Sequence, residues 1–182
     1  MRDARGRRTA AAGLLLAALA VESTAAPILS EIHYNGPARG TDPDEFLELS
    51  NTGVRALDLG GWRFASGIDF TFAVDTVLKS GESLVLARSV DAFLDIFSAF
   101  DGRIFDFGGA LSNSGETLTL LDAAGNTAWS VRYDDAPPWP DSPDGLGSSL
   151  QLLGPDANPA LPESWQDAAP TPGFWPGGIA AP

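Results

Sequence analysis

The 182-residue sequence has no cysteine, one histidine and one methionine, and its 11 Lys+Arg stand against 24 Asp+Glu for a formal net charge of −13. Without cysteine, a disulfide scaffold, a thiolate zinc site and thiol catalysis are all excluded. With His33 as the sole imidazole, a nucleophilic triad has one candidate base. The nearest serine, Ser30, lies at odd spacing on the same predicted strand and is expected to face the other way. The shortage of positive charge argues against binding phosphate backbones. Gly60-Gly61 and Gly108-Gly109 lack the strand-to-helix setting and the lysine that a phosphate-cradling loop needs. No apolar run is long enough to cross a bilayer as a helix.

Hydrophobic residues make up 44% of the chain and charged residues 19%, enough apolar content for a packed core, and the length suits one domain. The basic cluster Arg2, Arg5, Arg7 and Arg8 precedes an uncharged run from Ala10 to Val21 and then Ser23-Thr24-Ala25. This pattern predicts a secretory signal peptide over residues 1–25, cut after Ala25, since a cut one residue later would place Pro27 beside the scissile bond. Sec export is the default, and Arg7-Arg8 leaves a twin-arginine route open. The expected domain spans residues 26–182, with 176–182 as a flexible end, in a secreted or periplasmic protein that has no membrane insertion after cleavage. Removing the leader takes away four arginines, Asp3 and Glu22, so the remaining net charge is −15.

Short alternating segments separated by Gly, Pro, Asn and Asp predict strands at 28–34, 45–51, 61–65, 70–74, 83–88, 116–121, 128–134 and 149–153. In the first, Ile28, Ile32 and Tyr34 are expected on one face and Glu31 and His33 on the other. The segments 116–121 and 128–134, joined by the turn Asp122 to Asn126, predict a hairpin. Val90, Phe93, Leu94 and Phe97 recur at helical spacing behind Ser89, a candidate cap, and predict one short helix. Eleven of the 14 prolines and three of the five tryptophans follow Ala136. That composition predicts an ordered, Pro-rich C-terminal strap with one further strand. The fold class is therefore all-β, a β-sandwich with Greek-key connections, one short helix and the strap, with a closed barrel as the alternative.

Ile28-Leu29-Ser30-Glu31-Ile32-His33-Tyr34-Asn35, Asp44-Glu45-Phe46-Leu47-Glu48-Leu49-Ser50-Asn51 and Leu57-Asp58-Leu59-Gly60-Gly61-Trp62 resemble the opening strands of lamin-tail domains. Leu78-Lys79-Ser80-Gly81-Glu82 resembles that family's following loop. Trp139-Pro140, Asp144 to Leu150, Trp165 and Thr171-Pro172-Gly173 are similar to the closing motif of exported bacterial members. The resemblance implies an immunoglobulin-like sandwich with interaction roles, often as an accessory module. No heptad rod accompanies it, so a filament role is not carried over.

Carboxylates are the abundant chemistry. Asp42, Asp44 and Glu45, with Glu48, cluster before and within one strand, and hard oxygen ligands of this kind suit calcium, although no EF-hand spacing is present. No other cofactor is expected. Asp134, Asp135, Asp141 and Asp144 surround a Pro-Trp-Pro segment in which Pro137, Pro138 and Pro140 restrict the backbone around Trp139. Trp139 then either docks a ligand or plugs the open end of the sandwich. Glu31 and His33 share a face but supply two ligands where a stable metal site needs three or four. These features lead to the expectation of a non-catalytic secreted binding module that contacts protein or cell-surface polysaccharide and no nucleic acid. The alternative is a calcium-dependent carbohydrate-binding or carbohydrate-active protein that uses its acidic loops.

Overall fold

Leucine at every second position sets the layers. In the computed structural model, which describes residues 26–37 and 42–174, β1 (Ile28–His33), β2 (Phe46–Ser50) and β6 (Ser83–Ala87) lie side by side. They turn Leu29, Ile32, Leu47, Leu49, Leu84 and Leu86 to one side, where all are buried. The expected signal peptide 1–25 and flexible end 176–182 lie outside the described residues.

The remaining strands are β3 (Leu57–Asp58), β4 (Arg63–Ser66), β5 (Val77–Leu78), β7 (Arg103–Asp106), β8 (Glu116–Leu121), β9 (Thr127–Tyr133), β10 (Ser149–Leu152) and β11 (Trp165–Ala168). Six of the strands form a sheet in the order β11-β10-β1-β2-β6-β7. Opposite lie the three-stranded sheet β4-β8-β9 and the ribbon β3-β5. Leu118 and Leu120 of β8, Val131 and Tyr133 of β9, and Phe64 of β4 meet the leucines of the larger sheet in one core, which also takes in Trp62, Phe72 and Trp165. The product is an all-β sandwich with one short helix, as expected.

That helix, α1 (Val90–Ile96), starts at Ser89, whose Oγ accepts from the Ala92 N–H at 3.3 Å. It links β6 to β7, which pair in parallel, and a parallel pair requires such a crossover. Phe93 drops from α1 onto Phe46, Val85 and Ala87 and forms a second small core on the outer face of the larger sheet.

The strand expected at 70–74 is not regular. The N–H of Phe72 donates to Trp62 O and that of Phe64 to Phe70 O, but only Thr71 forms a ladder bridge, to Arg63. β3, β5 and β7 are additional short strands. The C-terminal segment is more than a strap: β10 pairs with β1 inside the larger sheet and with β11 at its edge. Only residues from Ala169 to Phe174 run as a true strap, across the outer face.

Candidate functional site

The segment from Asp134 to Asp144 is held at both ends. Asp134 accepts from Arg132 Nη2 at 2.8 Å and from the Ala136 N–H at 3.2 Å, and these bonds keep its carboxyl below the usual range. Asp144 accepts from Asn35 Nδ2 at 2.6 Å, and its own N–H donates to Asp141 O at 3.1 Å. Asp141 and Asp144 are exposed, and Asp134 and Asp135 are half-buried. Trp139 is half-buried too, packed on the main core with its ring 6.2 Å from that of Trp165. Below the acids lies the Tyr34 hydroxyl, buried and without a hydrogen-bond partner among the described residues. Burial, and then the charges of Asp144, Asp135 and Asp134, push its pKa up, so it stays a neutral phenol. The charges of three of the four predicted acids thus reach Tyr34, and Trp139 packs on the core beside Trp165.

Asp42, Asp44 and Glu45 do not converge. Asp42 Oδ2 accepts from Asn113 Nδ2 at 3.1 Å. Asp44 faces His33 Nε2 at 3.5 Å, and a hydrogen bond from that ring holds its carboxyl below the usual range. Glu45 is buried; its Oε1 meets Arg88 Nη1 at 2.9 Å while its Oε2 accepts from the Leu111 N–H at 2.8 Å. Burial raises its pKa, against those two donors. Among the described residues no group of three or more His, Asp or Glu side chains is placed to hold a metal ion. Each carboxylate of this trio already serves a different structural donor.

Sequence reasoning missed a buried pair of glutamates whose carboxyl pKa values burial raises. A bulge between Leu29 and Glu31 interrupts the alternation of β1. Leu29 and Ile32 therefore both enter the core, while Ser30, Glu31 and His33 all belong to the outer face, contrary to the expectation that Ser30 points away from His33. Glu31 sits opposite Glu48 of β2, and both are buried. Glu31 Oε1 accepts from Ser149 Oγ, from Gln151 Nε2 at 3.3 Å and from the Thr171 N–H at 3.1 Å. Glu48 Oε1 accepts from Ser30 Oγ at 2.7 Å, and its Oε2 accepts from the Gly173 N–H at 2.6 Å. The strap supplies two of these donors and seals the pair from solvent. The available signal was the set of polar residues Ser30, Glu31 and His33 in β1, Glu48 and Ser50 in β2, and Ser149 and Gln151 in β10, which reads as a solvent face until its cover is known. His33 lies on this face as well, with Nδ1 3.1 Å from the Ser148 carbonyl and Nε2 facing Asp44.

No curated protein and no solved structure matches the chain. Residues 20–135 match the family model of the lamin tail domain, a span that takes in β1 through β9 and leaves β10, β11 and the strap beyond it. With that match over more than half of the chain, and with two β layers packed around one core, the protein belongs to the lamin tail domain family and has its immunoglobulin-like all-β fold.

Proposed function

We propose that the chain is an exported, non-catalytic binding module that contacts a protein or a cell-envelope polysaccharide through the segment from Asp134 to Asp144. One observation supports this reading above the others. The exposed acids Asp141 and Asp144 sit on a segment pinned by Arg132, Asn35 and the packed ring of Trp139, so a partner meets a surface that is already formed. Glu31 and Glu48, two carboxylates whose pKa values burial raises, are by contrast held beneath the strap, out of reach of a substrate. The family's generally non-catalytic character agrees with that arrangement.

Retention of the purified protein on isolated cell-envelope material tests the reading. Asp135→Asn combined with Asp141→Asn is expected to reduce retention several-fold at unchanged melting temperature. Trp139→Ala is expected to cost about 2 kcal/mol in urea denaturation, less than the 3–5 kcal/mol of a fully buried tryptophan, because its ring is only half-buried. Unchanged retention in the double Asn variant would remove this segment as the site. Retention abolished by a chelator would replace the reading with calcium-dependent carbohydrate binding.

A further inference from the structure

The outer face of the larger sheet is covered by two pieces, α1 with the loop behind it and the C-terminal strap. Between them lies an open groove of about 440 Å³, with residues 96–100 as one wall and Thr171, Pro172 and Phe174 as the other. A pocket of this size accepts one or two large side chains. Both walls are anchored. Phe97 packs tilted and Phe100 edge-on against Phe93, with ring centroids 4.8 and 5.2 Å away, and Phe97 also lies 5.7 Å from Phe46. The strap is fixed through the Thr171 and Gly173 N–H groups on the two buried glutamates. Gly173, at φ 81°, passes so close to the Phe100 ring that a Cβ there would lie 3.0 Å from it.

The rim carries apolar side chains that the fold leaves in water, Ile96 at 56% and Phe174 at 69% exposure. It also carries charge of one sign. Asp95 and Asp101, both exposed, flank the wall formed by residues 96–100. No lysine or arginine occurs from Ser89 to Gly102, nor anywhere after Arg132. Such a surface repels anionic lipid, nucleic acid and a second copy of this acidic chain. The lining hydroxyls are those of Ser98 and Thr171, and the latter accepts from Gln151 Nε2, which leaves little with which to recognise a sugar.

We propose that this groove docks a short cationic peptide segment of a partner protein, its large apolar side chain seated between the α1 loop and the strap and its Lys or Arg neighbours lying against Asp95 and Asp101. The surface is separate from the segment that carries Trp139, and the two are tested independently. The probe is a fluorescent hexapeptide, Lys-Arg-Phe-Leu-Arg-Lys, titrated against the full chain by anisotropy. Two controls accompany it, one with serine in place of Phe-Leu and one with glutamate in place of every base. Saturable binding of the probe is expected, about tenfold weaker for the serine control and absent for the acidic one. Ile96→Ser with Phe174→Ser should weaken binding about tenfold at unchanged melting temperature, because both side chains are exposed. Asp95→Asn with Asp101→Asn should weaken it and flatten its salt dependence. Trp139→Ala should leave it unchanged. The proposal is overturned by absence of saturable binding, by equal binding of the serine control, or by wild-type affinity in the Ile96/Phe174 variant.

Discussion

Glu31 shows how much one buried carboxyl can weigh. Burial pushes its pKa up to about 7, and the neighbouring Glu48 adds to the rise, while the donors Ser149, Thr171 and Gln151 pull it down. The folded chain therefore holds this proton more tightly than the unfolded chain does. The resulting stabilisation is complete below pH 4.5, the ordinary value, and is lost as pH rises through about 7. The shift corresponds to on the order of 3 kcal/mol. Thermal melts at about pH 5 and pH 8 should show the wild-type midpoint falling by roughly 5–10 °C. Glu31→Gln keeps an acceptor for Ser149 and Thr171 but cannot ionise, so its fall should be about half as large or less, with the remainder coming from Glu45 and Glu48, which burial also raises. Equal falls in the two proteins would show that Glu31 is not the group responsible. Composition alone could not single out this residue, since what distinguishes Glu31 from the exposed acids is the strap, 140 positions further along the chain.

At the scale of elements, the long alternating segments were legible and the short ones were not. The residues of β8 and β9 pair in the register the alternation implies, Leu118 with Val131 and Leu120 with Trp129, across the Asp122 to Asn126 turn. β3 and β5 are two residues each, too short for any periodicity. β11, with the sequence Trp-Gln-Asp-Ala, has no β-branched residue and owes its strand to pairing with β10. Turn glycines divide by what surrounds them. Gly115 precedes β8 at φ 79°, where a Cβ would lie 2.5 Å from Tyr133 O and 2.6 Å from Asp134 Cα, both backbone atoms. Gly81 has a similar φ of 75° with nothing within 4 Å. Gly81→Ala should cost about 1 kcal/mol from the left-handed backbone alone. Gly115→Ala should cost at least about 2 kcal/mol, since the hairpin must also shift. Denaturant midpoints of the two variants check the difference, and equal midpoints would mean the close approach at Gly115 is relieved at no cost.

For the whole molecule the dominant property is its charge. Residues 26–182 carry a net −15, with Lys79 and six arginines as the only lysine and arginine residues. Of these, Arg88, Arg103 and Arg132 are paired with Glu45, Glu82 and Asp134. The protein is expected not to shift duplex DNA in a mobility assay at physiological salt, and micromolar binding there would contradict this electrostatic account. The exported form is expected to begin at Ala26, which amino-terminal sequencing of secreted material checks; Met1 at the amino terminus of most of that material would refute it.

The order of apolar and polar residues by itself determined the all-β class, the capped helix after Ser89 and the family motifs in β1, β2 and the Leu57 to Trp62 segment, because periodicity and capping act over a few neighbouring residues. What covers each face was decided only by the tertiary structure. Ser30, Glu31, Glu48, Ser149 and Gln151 read locally as a wet surface, and the strap turns them into a buried hydrogen-bonded layer. Asp42, Asp44 and Glu45 read locally as one acidic cluster, and Asn113, His33 and Arg88 draw them apart. The groove beside Phe174 exists because α1 and the strap, more than seventy residues apart in sequence, settle next to each other on one sheet. Contacts of that span depend on how the layers close, which short-range pattern does not encode.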